Sequence, residues 1–144
     1  MPRADDARVS AFARPVTLLR LEGLATLAVA AYLYSIASGD WILFGLLLFV
    51  PDVSMLGYLR GSAVGAATYN LLHVEVLPLA LAAYAIYVQW PIVLAVALVW
   101  LAHIGMDRAL GYGLKFTTAF RDTHLGRIGR RAEVIEPWRG GLER

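Results

Sequence analysis

The chain alternates long apolar runs with very short polar breaks. Four runs are long enough to cross a bilayer, which takes roughly 17–25 mostly apolar residues. They extend from about Val16 to Ala37, Trp41 to Leu59, Ser62 to about Val88, and Pro91 to about Leu110. The 31 residues 76–106 contain no Asp, Glu, Lys or Arg, too long a stretch for one span, and Gln89-Trp90-Pro91 supplies its turn. The breaks Ser38-Gly39-Asp40, Arg60-Gly61 and Gln89-Trp90 are so short that successive helices must run antiparallel. The pattern predicts an all-α integral membrane protein, a four-helix up-down transmembrane bundle over 16–112. A short segment, 1–15, precedes the bundle and a basic juxtamembrane tail, 113–144, follows it. Pro51 and Pro78 fall inside spans, where each removes a backbone hydrogen bond and should kink its helix.

Composition agrees with this pattern. Of 144 residues, 59% are apolar and 17% are charged. Only eight charged residues lie in 16–110, against five in 1–15 and eleven in 111–144. A soluble domain would need charge over most of its surface, so this distribution excludes an ordinary soluble enzyme and a disordered chain. The absence of cysteine excludes disulfides, thiolate metal sites and cysteine nucleophiles.

Positive charge sets the expected orientation. Arg3, Arg8 and Arg14 precede the first span, Arg60 marks the second loop, and seven Lys and Arg follow the last span, whereas the first and third loops have none. Both chain ends are therefore expected in the cytoplasm, with the bundle in the cell membrane. Arg20 and Glu22 argue against the competing reading of the first span as a signal peptide. Arg127, Arg130, Arg131 and Trp138 suggest contact with anionic headgroups, not with nucleic acid.

Ionisable groups at membrane depth are rare and usually face a bundle interior. The candidates are Arg20, Glu22, Asp52, Asn70, His73, Glu75, His103, Asp107 and Arg108. At ~1.5 Å rise per residue, Glu22 lies about 9 Å from the cytoplasmic end of its span, Asp52 about 11 Å, Asn70 about 12 Å, His73 about 16 Å and His103 about 8–12 Å. Polar residues from all four spans thus gather in the inner half of the bilayer, with Glu75 the exception. His103 and Asp107 are i, i+4 and share a helix face, as Asn70 and His73 do at i, i+3. Such imidazole and carboxylate sets suit Zn²⁺, Mn²⁺ or Fe²⁺. They also suit proton transfer. After the last span, the glycines of Gly111-Tyr112-Gly113 permit a turn back over the bundle mouth, from which Asp122 and His124 would complete the site. No P-loop, GxSxG or HExxH pattern is present.

Several segments carry a resemblance: Arg20-Leu21-Glu22-Gly23, Pro51-Asp52-Val53-Ser54-Met55-Leu56-Gly57-Tyr58, Tyr69-Asn70-Leu71-Leu72-His73, His103-Ile104-Gly105-Met106-Asp107-Arg108 with Gly111-Tyr112-Gly113-Leu114-Lys115, and Asp122-Thr123-His124-Leu125-Gly126. Over about residues 17–128 they resemble a bacterial family of small multi-pass membrane proteins of unknown function. More distantly, the Pro-Asp pair, the His on the next span and the His-x-x-x-Asp of the last are similar to membrane-bound metal-dependent hydrolases. That resemblance implies a metal held by Asp52, His73, His103 and Asp107.

Three functions stay open on the sequence. The first is a membrane-embedded enzyme acting on a lipid-phase substrate through a divalent metal at those four residues, with Asp122 and His124 in support. The second is a metal-free isomerase or cyclase of an isoprenoid-like substrate, with Glu22, Asp52 or Asp107 as general acid. The third is a non-catalytic structural or partner-binding protein, in which the polar residues satisfy one another and leave no cavity. The expected partners are membrane lipids, and a homo-oligomer stays open.

Overall fold

The computed structural model describes residues 14–128. The expectations resting on Arg3, Arg8, Arg130, Arg131 and Trp138 lie outside the described residues. Four helical rods form the fold. The first is α1, Pro15–Ala37. The second is α2, Trp41–Leu48, continued by a 3₁₀ segment, Val50–Arg60. The third is α3, Ser62–His73, and α4, Val76–Tyr87, and the fourth is α5, Pro91–Leu110. By length and composition, all four rods are able to cross a membrane. A two-stranded antiparallel hairpin, β1 (Asp122–Thr123) and β2 (Gly126–Arg127), pairs Asp122 with Arg127 and Thr123 with Gly126.

Local chemistry explains the element ends. Pro15 and Pro91 open α1 and α5, where a missing N–H breaks no hydrogen bond. Asp40 caps α2, its Oδ1 accepting from the N–H of Ile42 at 3.1 Å and of Leu43 at 3.0 Å. Gly111, at φ 95°, closes α5: its N–H donates to the Arg108 carbonyl at 3.0 Å, and the Tyr112 N–H to the Asp107 carbonyl at 2.7 Å. This left-handed cap turns the chain back across the bundle end.

Both internal prolines coincide with departures from α-helix. Pro51 cannot donate to Leu47, and α2 passes into the 3₁₀ segment beside it. A run of 11 residues is long for a 3₁₀ helix, which rises ~2.0 Å per residue. On that rise Asp52 lies about 16 Å from Arg60, deeper than α-helical geometry gives. In the third rod the ring of Pro78 would clash with the carbonyl of Val74, four residues back, and Val74 is extended (φ −91°, ψ 133°), so the rod breaks between α3 and α4.

α5 is the central rod. It packs against α1, α2 and α4, while α3 packs against the 3₁₀ segment. Its contact with α1 is close enough to need glycine. A Cβ on Gly105 would come within 2.6 Å of the Leu27 nitrogen and 2.7 Å of the Gly23 carbonyl oxygen. Small side chains, Ala30, Ala95 and Ala102, continue this seam among Tyr34, Leu98, Val99 and Leu101. The outer faces expose Ile42, Leu46, Leu59 and Ile92, which suits a surface solvated by lipid tails.

Candidate metal centre

The other side of α5 is polar. His103 and Asp107 project from it one turn apart, towards α3 and the start of the 3₁₀ segment. Tyr69 and His73 have the same i, i+4 spacing on α3, and the opposed helices meet rung to rung. The Tyr69 hydroxyl donates to Asp107 Oδ2 at 2.8 Å, and His73 Nε2 lies 3.0 Å from His103 Nε2. Asp52, in the first turn of the 3₁₀ segment, places Oδ1 3.7 Å from each of these nitrogens. Asp107 Oδ2 lies 3.6 Å from the first and 3.8 Å from the second. One donor atom from each of Asp52, His73, His103 and Asp107 thus falls within 4.8 Å of all the others.

Hydrogen-bond accounting shows what this cluster needs. His73 Nδ1 lies 2.8 Å from the Tyr69 carbonyl oxygen, which only accepts. Nδ1 therefore carries hydrogen, and in the neutral ring Nε2 turns a lone pair to the centre. The Tyr69 ring stacks on the His73 ring, with centroids 3.6 Å apart, and fixes its plane. The imidazole–carboxylate separations are too long for hydrogen bonds. The 3.0 Å approach of the two Nε2 atoms requires either a hydrogen from His103 or a cation between them. Two carboxylate oxygens and a lone pair therefore face one point, with the Tyr69 hydroxyl and at most one imidazole N–H to satisfy them. Ligands ~2.1 Å from a shared ion lie about 3.0–3.4 Å apart at right to tetrahedral angles. The imidazole pair at 3.0 Å lies in that range and the imidazole–carboxylate pairs at 3.6–3.8 Å lie just above it, so the donor set fits a divalent cation once the two carboxylates close on it from the wider spread of 4.8 Å.

The centre opens on one side. His73 and His103 are buried, at 3% and 0% exposure, whereas the Asp52 side chain is 33% exposed. It borders a cleft of about 730 Å³ between the 3₁₀ segment, the end of α5 and the returning chain. Asp107 and Tyr69 form its floor, Phe49, Met55 and Leu110 its apolar walls, and Lys115 and Arg121 its cationic rim. In a 3₁₀ helix residues three apart eclipse, which is why Asp52 and Met55 line one side, with Phe49 just before the segment beside them.

The structure does not bring Glu22, Asp122 or His124 to this centre. Glu22 is on an exposed face of α1, whose next residue, Gly23, packs against α5. Asp122 is engaged within the hairpin, accepting from the Thr118 hydroxyl at 2.8 Å and facing Arg127 Nε at 3.5 Å. His124 Nδ1 accepts from the Leu114 N–H at 2.8 Å. Both residues thus shape the returning segment.

Sequence reasoning missed what that segment carries. Lys115 is 4% exposed, its Nζ 4.6 Å from the Tyr69 ring centroid and 3.8 Å from that of Phe120. Asn70 holds its backbone by two bonds, donating from Nδ2 to the Lys115 carbonyl at 2.8 Å and accepting from its N–H at 2.7 Å. Burial pulls the Lys115 ammonium below its ordinary pKa, while the Asp107 and Asp52 carboxylates oppose that shift. The sequence signal for Tyr69 was its i, i+4 relation to His73, which mirrors His103 and Asp107. Lys115 had no signal beyond following a glycine turn.

Glu75 pairs with a charged neighbour: its Oε1 lies 2.9 Å from Arg108 Nη1. Side chains on a helix lean towards its N-terminus, so Arg108 reaches back along α5 to the break between α3 and α4. That break also leaves the Leu72 carbonyl free to accept from Trp100 Nε1 at 2.6 Å.

No curated protein and no solved structure matches the chain. Residues 16–128 match a family described as a domain of unknown function (DUF4260), and the chain belongs to that family.

Proposed function

We propose that this chain is a membrane-embedded, metal-dependent hydrolase of a lipid-phase substrate, with Zn²⁺, Mn²⁺ or Fe²⁺ held by Asp52, His73, His103 and Asp107. The observation that carries the reading is the convergence of those four donor atoms within 4.8 Å in a cluster short of hydrogen. A divalent cation bound there supplies Lewis acidity and makes water a stronger acid. The protein's own groups have separable tasks. The Tyr69 carbonyl fixes the His73 tautomer, and the Tyr69 hydroxyl fixes the Asp107 carboxylate. Asp52, the most exposed of the four, presents Oδ1 to the centre and keeps its second carboxylate oxygen to take the proton of the attacking water as the water oxygen bonds to the ester centre and the bond to the alcohol oxygen breaks. The same proton then passes to the departing alcohol oxygen. Both chain ends and the cleft are proposed to face the cytoplasm, on the charge distribution of the loops.

Two other readings have less support. A metal-free acid-catalysed isomerase loses Glu22, which faces outward, and keeps Asp52 and Asp107 as acids, but it gives no task to the two imidazoles that meet between them. A purely structural bundle would leave no cavity beside the polar residues, whereas a cleft of about 730 Å³ borders Asp52 and Asp107.

Elemental analysis of the purified chain is the test. About one divalent ion per chain is expected, and His73→Ala or His103→Ala should lose it. Metal at background, with thermal stability unchanged by chelator, would overturn the proposal.

A further inference from the structure

We infer that Lys115 and Arg121 are the receptor for an anionic phosphate group on the substrate, and that the apolar walls beside them take its hydrocarbon part. The inference rests on the hydrolase reading and names the substrate class for the same cleft. The proposed substrate is an amphiphile whose phosphate lies between the cationic rim and the metal centre.

Four observations converge. The Lys115 ammonium has three hydrogens, and one goes to the Phe120 carbonyl at 3.1 Å. The ammonium lies over the Tyr69 and Phe120 rings, and Lys115 lines the cleft beside Tyr69, whose hydroxyl contacts Asp107. The position of Lys115 is fixed in advance by the two Asn70 bonds, so little ordering remains for ligand binding. Arg121 lines the same cleft, is exposed, and forms no ion pair among the described residues. Phe49 at the head of the 3₁₀ segment, Met55 within it and Leu110 of α5 line the cleft, and both elements also present apolar surface outward. An acyl chain can therefore lie along them with its head at the rim.

The charge balance makes the inference conditional in a useful way. Without a divalent ion, Asp52 and Asp107 oppose any anion at the rim. With the ion bound, the cleft holds two protein cations beside a neutralised centre, which suits a doubly charged phosphate monoester.

The test is calorimetric titration of the full chain in detergent, metal-loaded, with the non-hydrolysable phosphonate analogue of dioctanoyl phosphatidate (hereafter phosphatidate), dioctanoyl phosphatidylcholine and inorganic phosphate. Phosphatidate is expected to bind at least ten-fold tighter than phosphatidylcholine. Lys115→Met should weaken it about ten-fold or more, the scale of a lost charge-assisted hydrogen bond. Lys115→Arg should recover part of that loss. Should Lys115→Met fail to fold, Arg121→Gln alters only an exposed side chain and should weaken binding several-fold. Inorganic phosphate binding as tightly as phosphatidate supports the anion receptor and assigns it a soluble ligand. Phosphatidate affinity unchanged in both Lys115→Met and Arg121→Gln, with metal retained, overturns the inference. So does equal affinity for phosphatidylcholine. Metal content is read on each sample, so the absence of metal from the unaltered chain is recognised as failure of the hydrolase reading instead.

Discussion

α5 presents two interfaces that solve the membrane packing problem in opposite ways. Towards α1 it offers Leu101, Ala102 and Gly105, and the two backbones meet with almost nothing between them. Towards α3 and the 3₁₀ segment it offers His103 and Asp107, and the backbone opposite is irregular: a 3₁₀ run beginning near Pro51 and a break at Val74. In a bilayer the hydrophobic effect does not drive helices together, so the first interface depends on close van der Waals contact. The second depends on hydrogen bonds and ion pairs. Its irregular backbone is tolerated because the 3₁₀ run bonds its own backbone groups, and the Leu72 carbonyl freed at the break accepts from Trp100. The first interface fixes α5; the second uses the fixed rod to aim ligands.

The largest predicted effect lies on the dry side. Gly105→Ala places a methyl group 2.6 Å from the Leu27 nitrogen, a backbone atom that cannot step aside without moving α1. Overpacking of this kind costs about 1–3 kcal/mol, and Gly105→Leu should exceed it. Thermal denaturation in detergent measures it, with metal content as the second readout. A melting temperature unchanged by Gly105→Leu would mean that α1 and α5 are not packed as described.

On the polar side metal content, not stability, should be the readout most affected. Asp107→Asn and His103→Ala should abolish metal retention yet alter the stability of the metal-free protein less than Gly105→Leu does. If they destabilise the metal-free chain more than Gly105→Leu, the cluster is structural glue and the contrast between the two faces disappears.

The Glu75–Arg108 pair gives a smaller effect. At 2.9 Å and partly buried, it joins the end of α5 to the break in the third rod. A double-mutant cycle with Glu75→Gln and Arg108→Met should give a coupling of about 1–2 kcal/mol. Zero coupling would make the pair incidental.

Much of this arrangement was legible in the sequence, for particular reasons. Charge-free runs and short polar breaks located the four rods, and Pro51 and Pro78 located their irregularities, because proline acts on the backbone whatever surrounds it. His103 and Asp107 read as one face because helical spacing is local. Depth was less legible for Asp52, since nothing in Val50–Arg60 announces a 3₁₀ rise. The loop residues were not legible. Asp122 and His124 have the chemistry of a site, but a hairpin of two-residue strands engages both locally and turns Lys115 inward instead. That choice depends on Asn70, 45 residues earlier in the chain, which matches both backbone groups of residue 115.

Glu22 was illegible for a different reason, and it supplies the smallest predicted effect. A soluble helix sorts its faces by polarity, whereas a helix in lipid is apolar on nearly every side, and α1 is such a helix. A single carboxylate therefore does not reveal which way it points. What distinguished the faces was Gly23, whose lack of a side chain admits the backbone of α5 beside Arg108 and Ala109. With Gly23 inward, the adjacent Glu22 turns about 100° away along the helix. Glu22→Gln should accordingly leave metal content, phosphatidate affinity and melting temperature unchanged. Gly23→Leu, one position on, should lower the melting temperature sharply. If Glu22→Gln removed metal or ligand binding, α1 would have to present its acidic face to the centre, and the division of α5 into a dry side and a polar side would fail.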